Sequence, residues 1–522
     1  MSVIHNACIG VKCMNALAHQ VTTLTEFYKN FRFDSSPFDV YTAELETDFI
    51  AKTFVHPFNY EVTTNAFSSK RTILAAGNRG TGKTAILTDL CRRVSDNDVW
   101  CVIDDYSSVT AELRSCEEGN GDFYALILTS IVRKLFIQLV GRRKSIKKLN
   151  KDDKIFLSFL LYKFVDVSTQ GILIQEIEKI QLSKLSLFVK KILTPLRGLL
   201  NYGSTAASNF INSVISSHFS MLPPVSSEGL RDIIPNIELG VDLDFVSTDV
   251  SFRLIEKTCR LIQTLGFERV IVFFDKMDED NRLSSDAESI AELIKPLLTD
   301  NKLLLAEFIQ FVVFVWEIPL NKIISEVRTQ KLQYIKIVWE IADLERALNK
   351  RIAHFSNNTL SDYKLLFADS VSSASIEKVF MLANKNPRDL WHVFNKMLEQ
   401  QYRIDNSKNM LSEEAIQRGL TRFVSDFNFY EYYPRRKNSR ANTMDIYSFA
   451  SHLLKLPNGK FTKNQLSEYA KTGGSTTNYV TLMEGLGLIK KTEQREGGGV
   501  VYMISDPKIV FAMENKIELK KP

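Results

Sequence analysis

Hydrophobic positions in the middle of the chain follow two periods, one typical of buried strands and one typical of helices. Short apolar runs predict strands within residues 73–76, 98–108, 269–275 and 309–317. Helical spacing follows the first run and places on one side the residues Ile86, Leu87, Leu90 and Val94. Strands that alternate with helices indicate a parallel α/β sheet that is covered on both faces.

The composition is that of an ordinary globular protein. Of 522 residues, 45% are hydrophobic and 24% are charged, and the net charge is +5. This length predicts two to four domains, and the mild basic balance does not by itself imply nucleic acid. The six cysteines have no CxxC spacing, which favours reduced cysteines in a cytoplasmic protein and argues against a zinc site.

Membrane insertion is not expected. Residues 1–20 lack the basic start and continuous apolar block of a signal peptide. The most apolar helical stretch, 185–202, is interrupted by Lys190, Lys191, Pro195 and Arg197. Charges at these positions are too costly for a spanning helix, so we expect this stretch to be buried or interfacial.

A glycine-rich loop connects the first predicted strand to the helix that follows it. Its sequence, GNRGTGKT, fits the GxxxxGK[ST] pattern in full. In such a loop, backbone N–H groups surround a phosphate and the helix N-terminus contributes its dipole. The predicted nucleotide-binding residues are Gly77, Asn78, Arg79, Gly80, Thr81, Gly82, Lys83, Thr84 and Ala85. Lys83 is expected to reach the β- and γ-phosphates, and the Thr84 hydroxyl is expected to bind Mg²⁺.

Asp275 is the predicted second metal ligand. It follows the apolar run VIVFF, and an NTPase of this type needs a carboxylate at the end of a nearby strand to hold the metal. The alternative is an ordinary aspartate that caps the next helix. The strand of Asp275 lies far from the loop in sequence, which suits a sheet of the additional-strand type in which other strands intervene.

The residue that activates water is less clearly marked. The position directly after Asp275 is Lys276, which cannot serve as a carboxylate base. Glu279 is the preferred candidate, with Asp278 beside it. Asp104 and Asp105, at the end of another predicted strand, are the alternatives. If none reaches the water, the protein binds ATP and turns it over slowly.

Taken together, these segments resemble P-loop ATPases of prokaryotic defence and stress-response islands, which lie near the STAND and AAA+ groups. The resemblance covers residues of about 38–401 and rests on GNRGTGKTAIL, VIVFFDKMDED, a strand that ends near Trp316, IVWEIADLERALNKRI and NKNPRDL. It implies ATP with Mg²⁺, a homo-oligomer or a partner effector protein, and a role in anti-phage defence.

The same resemblance implies roles for two arginines. Arg388 of NPRDL would be a sensor arginine that contacts the γ-phosphate from a helical lid. Its alternative is a surface arginine at a helix start, where Pro387 suits the first turn. Arg351 could be an inter-subunit arginine finger, but a salt bridge on a helix face is the favoured interpretation.

The predicted organisation is an α/β P-loop NTPase core, a helical lid and a C-terminal winged-helix domain. The core spans 1–355, with a lead-in to about residue 70 and a helical insertion at about 122–243. The lid spans 356–405, and a linker with the winged helix spans 406–522. The winged helix is indicated by three short helical patterns and a hairpin with EGGG at its tip.

A DNA-reading winged helix would place its third helix in the major groove. The residues expected to face DNA there are Ser475, Thr476, Thr477, Asn478 and Tyr479. Lys490, Lys491 and Arg495 could meet phosphates, and residues 434–440 add four positive charges. Against this, the third helix itself carries no Lys or Arg before Lys490, and such modules also serve in packing or regulation. The basic run 142–148 is expected to be a solvated face.

Three functions remain open on the sequence. One is an ATPase that couples nucleotide state to assembly or effector control. Another is a DNA-binding ATPase of the initiator or transposition-targeting kind. The third is a scaffold that binds ATP without hydrolysing it, for which Lys276 is the main support.

Overall fold

The structure is a computed structural model, and it describes residues 23–46, 49–107, 109, 120–139, 142–164, 248–435 and 445–522. The N-terminal segment 1–22, the amphipathic stretch 185–202 and residues 436–440 of the basic run lie outside the described residues. Most of the predicted insertion does so too, since residues 165–247 are not described.

A five-stranded parallel sheet forms the centre of the protein. Its strands are β1 (Ile73–Gly77), β2 (Asp98–Ile103), β3 (Arg269–Phe274), β4 (Gln310–Trp316) and β5 (Gln333–Lys336). Their order is β2-β3-β4-β1-β5. Both faces are covered by apolar side chains, which explains why β1, β3 and β4 read as continuous apolar runs. The predicted parallel α/β sheet is confirmed, and β4 intervenes between β1 and β3, as expected for the additional-strand type.

Helices surround the sheet and lead out of it. Before the second half of the sheet they are α1 (Leu24–Asn30), α2 (Ile50–Thr53), α3 (Tyr60–Ser68), α4 (Lys83–Arg92), α5 (Asn120–Leu139), α6 (Arg143–Lys147), α7 (Lys151–Phe164) and α8 (Thr248–Thr264). After β3 they are α9 (Ala287–Thr299), α10 (Asn301–Leu304), α11 (Glu317–Ile323) and α12 (Ile341–Phe355). The described helices α5 to α8 lie between β2 and β3 in the chain; α5 to α7 fall within or next to the predicted insertion at about 122–243, and α8 follows it.

Three helices follow the core. They are α13 (Ser373–Ala383), α14 (Pro387–Ile404) and α15 (Glu413–Ser425). The side chain of Asn386 caps α14 and accepts hydrogen bonds from the backbone N–H groups of Arg388 and Asp389, and Pro387 occupies the first turn. The first turn of α14 lies against the phosphate-loop end of the sheet.

The C-terminal region has the arrangement of a winged helix. It consists of α16 (Ile446–Leu453), β6 (Lys460–Thr462), α17 (Lys463–Ala470), α18 (Thr476–Gly485), β7 (Ile489–Glu496), β8 (Gly499–Ile504) and α19 (Pro507–Glu514). The strands form an antiparallel sheet in the order β6-β8-β7. The wing turns at Gly497 and Gly498, which both have positive φ. The three helices and the hairpin follow the prediction, whereas α19 was not predicted.

Within the described ranges, no helix combines the length and apolar character that a bilayer crossing requires.

Candidate functional site

The glycine-rich loop lies where the backbone geometry of this sequence requires it. It joins the end of β1, at Gly77, to the start of α4, at Lys83. Gly80 and Gly82 have φ values of 83° and 85°, in the left-handed region that side chains with a Cβ avoid. A Cβ on Gly80 would also lie 2.5 Å from the side-chain oxygen of Asn386. The loop therefore depends on glycine at this position for two independent reasons.

The lysine and threonine of the loop point toward its concave side. Lys83 Nζ donates hydrogen bonds to the carbonyl oxygens of Gly77 at 3.0 Å and Asn78 at 3.1 Å. Removal from water lowers the pKa of Lys83, while the carboxylates of Asp278 and Asp275 act in the opposite direction. The ammonium group is thus held at the loop by backbone oxygens.

Thr84 and Asp275 form the predicted metal pair. The Thr84 hydroxyl donates to Asp275 Oδ2 at 2.8 Å, although the two residues lie 191 positions apart. Asp275 is 1% exposed, and this burial raises the pKa of its carboxyl. Mg²⁺ binds through one or two protein oxygens together with phosphate oxygens and waters, so this pair fits it. The described residues contain no cluster of three His, Cys, Asp or Glu side chains that would bind a metal without nucleotide.

The carboxylates after Asp275 have different surroundings. Asp278 accepts a hydrogen bond from Arg79 Nε at 2.7 Å, and its carbonyl accepts one from Arg79 Nη2 at 2.8 Å. Glu279 lines a cavity beside the phosphate loop, and its pKa is raised by burial first and by the charge of Asp278 second. Lys276 is in the left-handed region, with φ of 59°, and pairs with Glu44 at 2.8 Å.

The alternative bases lie elsewhere. Asp104 and Asp105 are exposed, and neither lines the cavity. Asp105 instead accepts the backbone N–H of Ser107 at 2.9 Å, in a local turn. The geometry brings Glu279 and Asp278 to the site and leaves these two outside it.

A cavity of about 300 Å³ opens beside the loop. One wall comes from the phosphate loop and the residues after β3, and the other comes from α12, from α14 and from a segment at residues 41–55. Apolar side chains of this second wall include Ile50, Phe54, Ala347 and Trp391. The sequence pattern predicts an amphipathic helix at residues 38–55, but the described residues there are helical only in α2, and the pattern did not indicate that the segment lines the site.

The two arginines that were assigned possible roles, Arg388 and Arg351, have different surroundings. Arg388 lines the cavity, and its Nε is buried without a hydrogen-bond partner among the described residues. Arg351 is 2% exposed and pairs with Glu46 at 2.7 Å. Its guanidinium also donates to backbone carbonyls of the N-terminal segment, including that of Val40 at 3.0 Å. The expected salt bridge of Arg351 is therefore present, but it is buried and joins α12 to Glu46 of the N-terminal segment instead of lying along an exposed helix face.

Two residues that the sequence did not reveal support the loop from outside. Trp339 Nε1 donates to the carbonyl of Thr81 at 2.9 Å. Asn386 Nδ2 donates to the carbonyl of Arg79 at 2.8 Å. Asn386 lies two positions before the predicted sensor arginine in NPRDL, but its contact spans 307 residues and has no local sequence signal.

The outer face of the winged helix differs in part from the prediction. Thr476 is buried and contacts the Thr472 hydroxyl at 2.6 Å, so the expectation that it faces DNA is wrong. Tyr479 is half-buried, and its ring packs against those of Phe449 and His452. The remaining candidates are exposed, namely Ser475, Thr477, Asn478, Lys490, Lys491 and Arg495.

Fold and site together define a class. A parallel sheet in the order β2-β3-β4-β1-β5 carries a GxxxxGK[ST] loop between β1 and α4. The loop threonine contacts the aspartate at the end of β3. The protein has the P-loop NTPase fold, with a C-terminal winged helix.

Comparison with known proteins adds only distant likenesses. No protein-family model matches the chain, and no curated protein matches it. A chain in the structure of Drosophila ORC bound to DNA is similar at 10% identity and a TM-score of 0.28, over 98% of this chain and 96% of that one. The Aeropyrum pernix ORC2 protein, in ADPNP–ADP complexes, is similar at 10% identity and a TM-score of 0.38, over 90% and 97%. The Walker-type ATPase of Pyrococcus abyssi is similar at 13% identity and a TM-score of 0.37, over 91% and 96%. These likenesses are too distant to assign a function, which must be inferred from the site itself.

Proposed function

We propose that this protein binds ATP with Mg²⁺ and hydrolyses it slowly, as a switch that controls assembly or a partner. The observation that carries the proposal is the hydrogen bond from Thr84 to Asp275, at 2.8 Å, beside the ammonium of Lys83. If Thr84 were only part of a glycine turn, a hydrogen bond to the buried Asp275 at the end of β3 would not be expected. A bound Mg²⁺ would supply positive charge at the phosphate oxygens.

Each residue around the phosphates has a defined task in this proposal. The loop N–H groups and Lys83 bind the β- and γ-phosphates. Arg388, whose Nε lacks a partner among the described residues, contacts the γ-phosphate. Glu279 accepts a hydrogen bond from the attacking water and orients it. The residue directly after Asp275 is Lys276 and not a carboxylate, which supports slow rather than fast turnover.

The apolar wall of the cavity is proposed to hold the base. Ile50, Phe54 and Trp391 offer aliphatic and aromatic surface to a planar ring. The preference for adenine rests on the sequence resemblance, because the loop itself contacts only phosphates.

The proposal is tested by calorimetry and by turnover of the purified protein. Lys83→Ala is expected to abolish measurable ATP binding, because it removes the only ammonium group inside the described part of the loop. Glu279→Gln is expected to keep ATP affinity within about two-fold and to lower turnover by about 10²-fold or more. If Glu279→Gln turns over ATP at the wild-type rate, Glu279 is not the base. If the wild type binds ATP but never hydrolyses it, the non-hydrolysing scaffold is the correct function.

A DNA-dependent ATPase is the second candidate. The observation that favours it is the exposure of Lys490, Lys491 and Arg495 on one strand of the wing, together with the exposure of Ser475, Thr477 and Asn478 at the start of α18. Such a group could neutralise backbone phosphates. In this version DNA would stimulate turnover.

The cellular setting is proposed from the resemblance alone. We propose a cytoplasmic protein that acts in anti-phage defence as a homo-oligomer or with an effector protein. Light scattering with and without ATP measures the oligomer. Plaque counts on cells that carry the wild type or Lys83→Ala test the defence role, which fails if the two are equal.

A further inference from the structure

We propose that Asn386 is a positioning residue, and that the first turn of α14 transmits the state of the phosphate loop to the winged helix. The inference rests on the proposed function, since it needs a nucleotide at the loop. It goes beyond that function by naming the contacts through which the C-terminal domain responds.

The first contact joins the turn to the phosphate loop. Asn386 Nδ2 donates to the carbonyl of Arg79 at 2.8 Å, while Asn386 Oδ1 accepts the backbone N–H of Arg388 at 3.0 Å. One amide side chain therefore holds the loop with its donor and the helix with its acceptor. Gly80 leaves the space in which this side chain lies, because a Cβ there would contact both amide heteroatoms within 2.7 Å.

The second contact joins the same turn to the winged helix. Asp389 is 1% exposed, and its Oδ2 accepts a hydrogen bond at 3.0 Å from Lys508 Nζ, which belongs to the first turn of α19. The hydroxyl of Tyr432 donates to the other oxygen of Asp389. Tyr433 donates to Asp506 Oδ2 at 2.9 Å, and Asp506 is the cap of α19. A buried ion pair thus joins the first turn of α14 to the first turn of α19.

The buried pair of Asp389 and Lys508 fixes the orientation of the winged helix on α14 more than it adds to the stability of the interface. A buried ion pair contributes little net stability because both ions lose their hydration, but its charges must meet in one arrangement. Lys508 is 1% exposed and also lies over the ring of Phe427, at 4.4 Å. The winged helix can therefore not slide on α14 without leaving a charge buried and unpaired.

Arg388 lies between the two contacts in the chain. Residues 386, 388 and 389 occupy one helical turn, so their backbones move as a unit. A shift of Arg388 toward a γ-phosphate also moves Asp389, and with it Lys508. A cavity of about 460 Å³ lies at this junction, lined by Thr81 of the loop, by Asn386 and by Lys508, and it leaves room for the shift. Coupling between two sites is reciprocal, so docking of the winged helix must also change ATP affinity.

Hydrogen exchange on the complete chain tests the inference, with ATP affinity measured separately by calorimetry. The probe is a non-hydrolysable ATP analogue with Mg²⁺. In the wild type, we expect the analogue to change exchange at least three-fold in residues 505–514 and 427–433, at the junction with the winged helix.

Asn386→Ser is the diagnostic variant. Serine caps a helix as well as asparagine does, but it is too short to reach the carbonyl of Arg79 and carries no new charge. We expect it to bind the analogue about five-fold more weakly, as for one missing hydrogen bond, and to lose the exchange response at saturation. Asn150→Ser is the matched control, because the side chain of Asn150 accepts the backbone N–H of Asp153 at 2.8 Å, near the start of α7, and lines neither the nucleotide cavity nor the cavity at the junction. It should behave as the wild type does.

The outcomes separate the two proposals. If the wild type fails to bind the analogue, both fall. If it binds and exchange at 505–514 is unchanged, only the transmission is wrong. If Asn386→Ser responds fully at saturation, Asn386 is not the positioning residue. Tyr433→Phe, which removes only one hydroxyl, should alter analogue affinity measurably, and an unchanged affinity would contradict the reciprocity.

Discussion

The cationic side chains around the phosphate loop divide according to their partners. Arg79 is paired with Asp278 and lies over the ring of Trp316, 4.1 Å from its centroid, and Lys276 is paired with Glu44. Lys83 Nζ donates only to backbone oxygens, and Arg388 Nε has no hydrogen-bond partner among the described residues. A bound triphosphate can pair with Lys83 and Arg388 without breaking an existing ion pair. To bind it, Arg79 or Lys276 would first have to leave its carboxylate partner. Lys83 and Arg388 are therefore the expected phosphate ligands.

Arg388→Ala is expected to distinguish ATP from ADP. Hydrogen bonds to charged groups contribute about 1.5–3 kcal/mol, so removal of the γ-phosphate interaction should weaken ATP binding about 10- to 100-fold. ADP binding should stay within about two-fold. Calorimetric titration of both nucleotides measures the difference.

Arg403→Ala is the control for this variant, since Arg403 is an exposed arginine near the other end of α14. It should bind both nucleotides as the wild type does. Equal weakening of ATP and ADP in Arg388→Ala would show that Arg388 contacts another phosphate or only supports the fold.

Sequence reasoning was effective where a residue's task is set by local spacing. Gly80, Gly82, Lys83 and Thr84 occupy the loop as expected, because the pattern itself encodes a backbone shape. Their assigned roles in binding remain predictions. The position of Asn386 was not predicted because its contact with Arg79 joins residues 307 positions apart. Thr476 was placed on the wrong side because helical spacing alone does not show which face of a short helix packs inward.

Helix α14 also holds the N-terminal segment against the cavity. The His392 ring stacks on Tyr41, with 3.6 Å between ring centroids. Asn395 Nδ2 donates to the Tyr41 hydroxyl at 2.7 Å. Tyr41 lines the cavity, so this stack fixes one wall of the candidate nucleotide site.

Stability should depend on pH through His392. Burial, then the charges of Arg388 and Lys396, lower its pKa from 6.5 to about 4. Above pH 6.5 the imidazole is neutral in both states and contributes no pH dependence. As the pH falls from 6.5 toward 4, the unfolded chain takes up a proton that the folded protein does not, and the free energy of unfolding drops by up to about 3 kcal/mol.

Urea unfolding at about pH 5 and about pH 7 measures this loss. The same difference between the two pH values is measured for His392→Gln. Subtracting it from the wild-type difference removes the contribution of all other groups that titrate in this window. The variant should lose less stability than the wild type over this range. An equal loss in both proteins would show that His392 is protonated in the folded state.

The elements were predictable in proportion to their burial. Strands β1, β3 and β4 lie in the interior of the sheet and are recognisable as apolar runs. Strand β5 was missed because it is a four-residue edge strand whose pattern, QYIK, is mostly polar. Helix α19 was missed because a short helix after a hairpin is indistinguishable by spacing from a C-terminal tail, although its buried Ile509 and Phe511 fix it in the fold.

Among the described residues, two groups of exposed basic side chains lie far apart in the sequence. One group, on the wing, consists of Lys490, Lys491 and Arg495. The other, in α6 and just after it, consists of Lys144, Lys147 and Lys148. All six side chains are exposed. Charge alone would treat the two groups alike, but only the first belongs to the winged helix, whose third helix carries the exposed polar residues Ser475, Thr477 and Asn478.

Replacement of the three wing cations by alanine is therefore expected to weaken binding of double-stranded DNA about ten-fold or more. The slope of log affinity against log salt should fall by about 0.9 for each phosphate that the variant no longer neutralises. Fluorescence anisotropy with a labelled duplex, at several salt concentrations, measures both quantities. The ATP affinity of the variant should stay unchanged, because none of the three residues lines the candidate nucleotide cavity.

Lys144→Ala, Lys147→Ala and Lys148→Ala, combined, form the matched control, since they remove the same net charge. If the wing is a DNA surface, the control keeps both the affinity and the salt slope. Equal losses in the two triple variants would mean that DNA responds only to net charge, and the wing would then be a packing module. An absence of DNA binding by the wild type would remove the DNA-dependent ATPase and leave a switch that acts on protein partners.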